Sequence, residues 1–182
     1  MKKAIAILEF STVSAGIQAA DKMAKTADIE LVEAQPVCPG KYMIVVAGVL
    51  SAVQTAMEAA EAAFGEKYIS GYMLGNPHES LLPAFYGTAN IEKIRALGVL
   101  ETFDAATAVY AADVAVKTAI VELIEVRLAK GMCGKSFVTL TGEVSAVEAA
   151  IYRAREVAGQ GGMFLDSAVI ASPDASLAKF LL

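Results

Sequence analysis

Residues 19–27 read Ala-Ala-Asp-Lys-Met-Ala-Lys-Thr-Ala, and residues 111–119 read Ala-Ala-Asp-Val-Ala-Val-Lys-Thr-Ala. The two stretches lie 111 − 19 = 92 residues apart, and the same spacing pairs Glu9 with Glu101. Self-similarity at a fixed spacing indicates an internal repeat, here with units of about 90 residues. The sequence therefore predicts a tandem duplication that covers almost the whole chain.

The spacing between matching residues grows along the chain. It becomes 145 − 51 = 94 residues where Ser51 meets Ser145, and 173 − 77 = 96 residues where Pro77 meets Pro173. A loop that is two residues longer in the second repeat accounts for the first change. We predict a first domain over residues 1–88, a linker over residues 89–95 within the segment Tyr86–Arg95, and a second domain over residues 96–182.

Each repeat has the pattern of two helices and four strands in the order βαββαβ. The strands have apolar runs, and the helices have apolar residues at helical spacing, with a capping residue before them. This order is that of a ferredoxin-like split βαβ unit, so the predicted fold class is α+β. In the first repeat the predicted elements are the strand Ala4–Glu9, a helix capped by Ser11 or Thr12 that runs to Thr26, the strands Ile29–Glu33 and Tyr42–Ala47, a helix over Ala52–Phe64 capped by Ser51 and ended by Gly65, the strand Ile69–Leu74, and a short closing helix begun by Pro77–Ser80.

Composition excludes several classes of protein. The chain has 182 residues, is 56% hydrophobic and has a net charge of −5, so it is too apolar for disorder and lacks the basic surface that nucleic acids require. No run approaches the roughly 18 apolar residues of a membrane helix. The basic start Met1–Lys3 precedes an apolar run that Glu9 interrupts, which argues against a signal peptide. We expect a soluble cytoplasmic protein.

The second and third predicted strands of each repeat are joined by a loop that contains a cysteine. The loops read Gln-Pro-Val-Cys-Pro-Gly-Lys at residues 35–41 and Lys-Gly-Met-Cys-Gly-Lys at residues 130–135. The two cysteines do not form a disulfide framework. From the residues alone, Cys38 is either an ordinary small buried residue or a thiolate presented to a ligand. One cysteine in one chain does not hold a metal cluster by itself.

The ordered, doubled motifs resemble the family of bacterial microcompartment shell proteins with two tandem BMC domains. The resemblance rests on the repeated stretch quoted above, on the strand Ala-Ile-Ala-Ile-Leu-Glu at residues 4–9, on the Gly-Lys loop ends, and on Pro-His-Glu-Ser at residues 77–80. It implies a trimer whose six domains form a pseudo-hexameric tile of a microcompartment shell in the cytoplasm, together with other shell proteins. It also implies that the cysteine loops line a central pore, through residues Val37, Cys38, Pro39, Gly40, Met132, Cys133 and Gly134.

One subtype of these tandem shell proteins resembles the chain in Val-Cys-Pro-Gly-Lys at residues 37–41. The resemblance implies that Cys38 of each subunit binds one iron–sulfur cluster per trimer, of the [4Fe-4S] type, for electron transfer or cluster exchange across the shell. An encapsulated redox enzyme is then an expected partner. Met132 stands at the place of Cys38 in the second repeat, so Cys133 is one residue out of register and is not counted as a ligand.

Two lysines and the single histidine are also expected to make structural contacts. The resemblance implies that Lys25 and Lys117 lie at tile edges, where they contact neighbouring tiles. His78 is the only histidine, and Asp174 replaces it in the second repeat. We therefore predict a helix-start or edge contact for His78, and we expect no catalytic residues and no enzyme activity. Nor do we expect a nucleic-acid or membrane partner.

Three alternatives stay open from the sequence. The first is a metal-free tile whose pore conducts small metabolites or cofactors. The second is a small enzyme or ligand-binding protein on a duplicated ferredoxin-like scaffold, which requires a pocket with convergent polar groups. The third is a nitrogen-regulatory type of signalling trimer, which shares the βαββαβ order but is expected to have a long flexible nucleotide-binding loop.

Overall fold

The computed structural model describes residues 4–181, so Leu182 and the basic start Met1–Lys3 lie outside the described residues. None of the described helices is long and apolar enough to cross a membrane. The elements, in chain order, are β1 (Ala4–Phe10), α1 (Val13–Thr26), β2 (Ile29–Val37), β3 (Lys41–Gly48), α2 (Leu50–Phe64), β4 (Tyr68–Leu74), α3 (Leu81–Phe85), β5 (Ala96–Thr102), α4 (Ala105–Thr118), β6 (Val121–Arg127), β7 (Ser136–Gly142), α5 (Val144–Gln160), β8 (Phe164–Ile170) and α6 (Ala175–Ala178).

The described chain divides into two compact units. The first unit holds the residues up to Pro77 together with Ala129–Gly134, and the second holds His78–Leu128 and the residues from Lys135 onward. Each unit therefore contains a short segment from the other repeat. The domain boundaries predicted above follow the repeats along the chain, and they stay a prediction.

The first unit contains a four-stranded antiparallel sheet in the order β2-β3-β1-β4. Its core lies between this sheet and the helices α1 and α2, where alternate residues of β1 and β3 meet the helices, as a period of two requires. The buried core residues are Ala4, Ala6, Leu8, Phe10, Ala19, Ala20, Met23, Tyr42, Ile44, Val46, Val53, Ala56 and Ala60. This strand order is the ferredoxin-like arrangement that the sequence predicted.

Helix α1 approaches the sheet closely at Gly16. A Cβ atom at this position would lie 2.3 Å from Cβ of Tyr42 and 2.4 Å from its ring. The Tyr42 side chain therefore occupies the space that a side chain at position 16 would need. At the same places the second repeat has Ala108 and Ser136, so a larger helix residue there accompanies a smaller strand residue.

The second unit repeats the same sheet in the order β6-β7-β5-β8. Its helices α4 and α5 pack against each other and against the sheet. The short helix α3 follows the first repeat in sequence, yet it packs against β6 and α4 within this unit. Both sheets, with their helices, confirm the predicted α+β class.

Two predicted helix starts have different outcomes. Thr12, one of the two predicted candidates, caps α1, because its side chain accepts a hydrogen bond from the N–H of Ala15 at 3.3 Å. The prediction that Ser51 caps α2 is wrong. That helix begins at Leu50, and its capping residue Val49 makes no side-chain capping bond.

Strand β2 is longer than the sequence indicated. It continues from Ile29 to Val37, so Gln35 and Pro36 belong to the strand and pair with β3. The predicted loop over residues 35–41 is thereby reduced to residues 38–40. The register explains this extension, because Val37 still lies opposite Lys41.

Candidate functional site

Cys38 lies on a tight turn between β2 and β3. The turn consists of Cys38, Pro39 and Gly40, and the Cys38–Pro39 peptide bond is cis. Gly40 has φ +96°, a conformation that glycine adopts without steric cost. Cys38 is a free thiol of intermediate exposure, whereas Val37 before it is buried. The turn therefore presents its cysteine at the end of the β2–β3 hairpin.

The backbone donors of this turn are already engaged. The N–H of Cys38 donates to the carbonyl of Ala129 at 3.1 Å, and the N–H of Gly40 donates to the carbonyl of Val37 at 3.0 Å. Pro39 has no N–H to offer. Hydrogen bonds to the sulfur of Cys38 thus do not come from the backbone of residues 38–40.

The cysteine loop of the second repeat lies against the turn of the first repeat, within the first unit. Besides the bond from Ala129, Gly134 approaches so closely that a Cβ atom there would lie 3.1 Å from the carbonyl oxygen of Cys38 and 3.2 Å from Cδ of Pro39. Gly134 has φ +89°, which also favours glycine. The two loops that the sequence paired as copies of each other are therefore in direct contact.

Cys133 immediately precedes this contact. It is exposed, and its φ of +53° lies in the left-handed region that residues other than glycine seldom adopt. Met132, which matches Cys38 in the repeat alignment, is partly exposed. The assignment of Cys133 as a residue that binds no metal stays a prediction.

Two ion pairs involve residues of the hairpin that carries the turn. Lys41 pairs with Glu9 at 3.7 Å, and the side chain of Glu9 is completely buried. Lys130 of the second loop pairs with Glu33 of β2 at 3.3 Å. Glu9 also accepts a hydrogen bond from the hydroxyl of Ser70 at 3.4 Å. These contacts give the buried Glu9 carboxylate a structural role in the first unit.

One chain does not complete a metal site at this place. Among residues 4–181, no three His, Cys, Asp or Glu side chains gather closely enough to hold a metal ion. Thiolates are the usual ligands of iron–sulfur clusters, and the turn offers one of them at Cys38. The donor chemistry fits a cluster only if other chains supply further thiolates.

The two lysines predicted at tile edges lie at the ends of matching helices. Lys25 pairs with Asp21 at 2.7 Å at the end of α1, and Lys117 pairs with Asp113 at the end of α4. Each pair spans one helical turn, a spacing at which side chains of a helix meet. The edge role of both lysines stays a prediction.

Asp113 has a second contact that the sequence analysis missed. Its Oδ1 accepts a hydrogen bond from the backbone N–H of His78 at 2.8 Å. The ring of His78 is in turn 2.8 Å from the hydroxyl of Ser80, at the start of α3. Both repeats have an Asp at this place, Asp21 and Asp113, which was the signal available in the sequence. The repeat does not indicate that the N–H of His78 is the partner of Asp113.

Comparison with known proteins identifies the family. The model of the BMC domain matches residues 4–77 and again residues 96–173, so the chain belongs to the BMC-domain family. The bacterial microcompartment shell protein PduT of Citrobacter freundii is 36% identical over 177 residues, which cover 97% of this chain and 96% of that protein. A crystal structure of a microcompartment protein from Desulfitobacterium hafniense DCB has a TM-score of 0.89 and 39% identity, and the match covers 98% of this chain and 99% of that one.

A single-domain relative matches part of the chain. The carboxysome shell protein CcmK2 of Synechocystis is 32% identical over 102 residues, which cover 52% of this chain and 98% of that protein. With the doubled BMC domain, these matches define a structural shell protein of a bacterial microcompartment and not an enzyme. They confirm the predicted family and the predicted location in a microcompartment shell.

Proposed function

We propose that three copies of this chain form a pseudo-hexameric shell tile, and that Cys38 of each copy binds a shared iron–sulfur cluster at the central pore. The carrying observation is a free, partly exposed cysteine on a three-residue turn, in a chain whose described residues complete no metal site. A three-fold axis would supply three thiolates to one [4Fe-4S] cluster and leave one iron to an outside ligand.

The construction of the turn supports a ligand role for Cys38. The cluster ligands must keep a fixed separation, and the turn is held by the hydrogen bonds of Cys38 and Gly40 and by the contact with Gly134. Pro39 restricts the backbone further. A cysteine that only filled space in the core would not need a partly exposed position on such a turn.

The hydrogen bonds within the turn also limit how the protein would set the reduction potential of the cluster. Hydrogen bonds to the sulfurs and exposure to solvent set the potential of iron–sulfur clusters. Because the N–H groups of Cys38 and Gly40 have carbonyl acceptors, tuning would depend on donors outside the turn. A bound cluster supplies one-electron chemistry.

The function that follows is transfer of electrons, or exchange of clusters, between the two sides of the shell. An encapsulated redox enzyme would be the partner on one side, and other shell proteins would surround the tile. A pore occupied by a cluster would obstruct the passage of metabolites, so the metal-free tile is a distinct alternative function.

Iron and sulfide analysis after anaerobic purification tests the proposal. We expect about four iron and four acid-labile sulfide per three chains, with the absorbance of a [4Fe-4S] cluster. Cys38→Ser should lose most of the iron. Cys133→Ser is the matched control, since it removes the neighbouring thiol, and it should keep the iron content of the parent.

Two results would overturn the cluster assignment. The first is a colourless parent protein without iron, even after anaerobic reconstitution with iron and sulfide, which would favour the metal-free tile. The second is equal iron content in Cys38→Ser and in the parent. The trimer is tested separately by the solution mass, which should be three times the chain mass of 19.0 kDa.

A further inference from the structure

The chain contains two cysteines, and the proposed function uses only one of them. Cys38 lies on the turn of the first repeat, and Cys133 lies on the longer connection of the second repeat. Both are free thiols, and Cys133 is exposed. The segment Ala129–Gly134 belongs to the first unit together with Cys38. The two thiols therefore share one compact unit, although the sequence separates them by 133 − 38 = 95 positions.

The segment Ala129–Gly134 contacts the backbone of Cys38 at both of its ends. At one end, the carbonyl of Ala129 accepts the N–H of Cys38 at 3.1 Å. At the other end, a Cβ atom on Gly134 would lie 3.1 Å from the carbonyl oxygen of Cys38. The segment thus begins and ends against the residue whose thiol is the proposed cluster ligand.

Cys133 is the residue next to the second of these contacts. Consecutive Cα atoms are about 3.8 Å apart, so Cys133 is displaced by one residue from the contact of Gly134 with Cys38. A disulfide joins cysteines whose Cα atoms are about 4.4–6.8 Å apart. None of residues 130–133 is buried, so no core packing opposes a small shift of this segment toward the turn.

The surroundings of Cys133 in the chain favour an anionic oxidant. Lys135 follows Cys133 by two positions and is exposed, and residues 126–142 include no Asp or Glu. Lys130 precedes Cys133 by three positions and is paired with Glu33. The chain as a whole has a net charge of −5, so this stretch is a local basic exception. Local positive charge increases the association rate of anionic reactants.

The number of thiols in the proposed trimer indicates how they would pair on oxidation. Three Cys38 thiols at one axis are an odd number, so a disulfide between two of them leaves the third unpaired. Pairing of Cys38 with Cys133 treats all three subunits alike, because each chain has one of each. The observed contact between the two loops places this pair within one chain.

We propose that Cys133 is a redox-active thiol that forms a reversible disulfide with Cys38 of the same chain when the cluster is absent. The oxidant is glutathione disulfide or a similar anionic disulfide of low molecular weight. This inference rests on the proposed cluster site and adds a second, disulfide form of it. While iron holds the thiolate of Cys38, that sulfur is protected from exchange. After the cluster is lost, the disulfide keeps Cys38 from irreversible oxidation to sulfinic or sulfonic acid.

The reaction consists of two thiol–disulfide exchange steps. The thiolate of Cys133 attacks one sulfur of the small disulfide, forms a mixed disulfide and releases one small thiolate. The thiolate of Cys38 then attacks the sulfur of Cys133 and releases the second small thiolate. The two protein thiols lose two electrons and two protons, and the small disulfide accepts them and leaves as two thiols. An excess of small thiol reverses both steps and frees Cys38 for a new cluster.

Peptide mapping of the cluster-free full chain tests the inference. The protein is freed of iron with a chelator, equilibrated with glutathione disulfide, alkylated and digested with trypsin without reduction. Cleavage after lysine places Cys38 in the peptide 26–41 and Cys133 in the peptide 131–135. We expect these two peptides to be linked, both free thiols of each chain to be lost, and the chain to migrate as a monomer on a non-reducing denaturing gel.

A matched control keeps two cysteines in each chain but moves one of them. Cys133→Ser/Tyr152→Cys places the second thiol on α5, where Tyr152 is exposed. The loop that contacts Cys38 then has no thiol. This variant should form mixed disulfides with glutathione, and it should lose the link to peptide 26–41.

Three results of the mapping would overturn the inference. The first is a link between two copies of peptide 26–41, which would show that Cys38 pairs between chains. The second is joined chains on the non-reducing gel. The third is a parent protein that carries only mixed disulfides with glutathione, because Cys38 would then not displace glutathione from Cys133.

The same mapping on iron-loaded protein separates this inference from the proposed function. The iron-loaded parent should lose most of the link between the two peptides, and equal linkage with and without iron would contradict the competition between cluster and disulfide. A chain that binds no iron but forms the link would overturn the cluster and leave the disulfide standing. A chain that binds iron through Cys38 but forms no link after iron removal would overturn the disulfide and leave the cluster standing.

Discussion

The two repeats share a sheet but differ in how their second and third strands are connected. In the first repeat three residues, 38–40, join β2 to β3, whereas eight residues, 128–135, join β6 to β7. The longer connection contains Ala129 and Cys133 with φ near +50° and reaches back to the shorter turn. Both sheets nevertheless have the same strand order, so the two connections differ on a shared scaffold. The proposed cluster site lies in these divergent parts.

The largest expected difference between the repeats concerns their matched glutamates. Glu9→Ala should lower the free energy of unfolding by about 3 kcal/mol, because it leaves Lys41 without its completely buried partner. Glu101→Ala should cost clearly less, since Glu101 is partly exposed. Urea denaturation measures the free energy of unfolding of both variants. Equal losses would contradict the prediction, because they would show that the buried Glu9–Lys41 pair adds no stability over the partly exposed Glu101.

The packing of the first helix should be the next most sensitive feature. Gly16→Ala forces a Cβ atom into the Tyr42 side chain and should cost about 2 kcal/mol. Gly159→Ala in α5 is the control, because a Cβ atom there meets nothing within 4 Å. The free energy of unfolding of this control should be unchanged or higher.

The repeat itself suggests a test of this explanation. The double variant Gly16→Ala/Tyr42→Ser copies the pair Ala108 and Ser136 of the second repeat. If steric conflict is the cause, the double variant should be more stable than the sum of its single changes predicts. Strict additivity of the two losses would contradict the close approach of Gly16 and Tyr42.

A smaller effect is expected at the helix starts. Thr12→Ala removes the capping bond to Ala15 and should cost about 1 kcal/mol. Asp104, the matching residue before α4, makes no side-chain capping bond. Asp104→Ala should therefore cost less in the same thermal or urea unfolding experiment, and a larger loss would mean that its carboxylate has a partner outside the described chain.

The smallest effect is a pH dependence confined to the second closing helix. The hydroxyl and then the N–H of Ser176 lower the pKa of Asp174, so the ionised form is favoured in the folded chain. The contribution of this contact is present above the ordinary pKa of Asp and is lost as pH falls through the lowered value. Carboxylate NMR should show the Asp174 titration at lower pH than in Ser176→Ala, and no difference would contradict the contact.

Particular residues show how far the sequence could be interpreted. Thr12 was one of two residues predicted to cap α1, and the βαββαβ order followed from apolar runs and from apolar residues at helical spacing. The prediction for Ser51 was wrong because this capping type of residue stands 51 − 49 = 2 positions after the actual capping residue, Val49. Pro36 was assigned to a loop, although the pairing of β2 with β3 extends past it.

The candidate site was only partly predictable. Cys38 was expected on a loop of the first repeat, and the tight turn agrees with that expectation. The contact of Gly134 with the carbonyl of Cys38 could not be predicted, because the two residues are 134 − 38 = 96 positions apart and no local pattern joins them. The hydrogen bond from the N–H of His78 to Asp113 could not be predicted either, because no local pattern joins these two residues.

By itself the sequence determined the duplication, the βαββαβ order, the α+β class and the turn that carries Cys38. These features depend on local periodicity and on residues that repeat at fixed spacings, and both can be recognised along the chain. Only the tertiary structure decided that the second cysteine loop packs across the first turn, and that α3 docks on β6 and leaves the matching surface of β2 open. Such contacts depend on which distant surfaces have complementary shape and charge, and that information is distributed over residues that no local pattern connects.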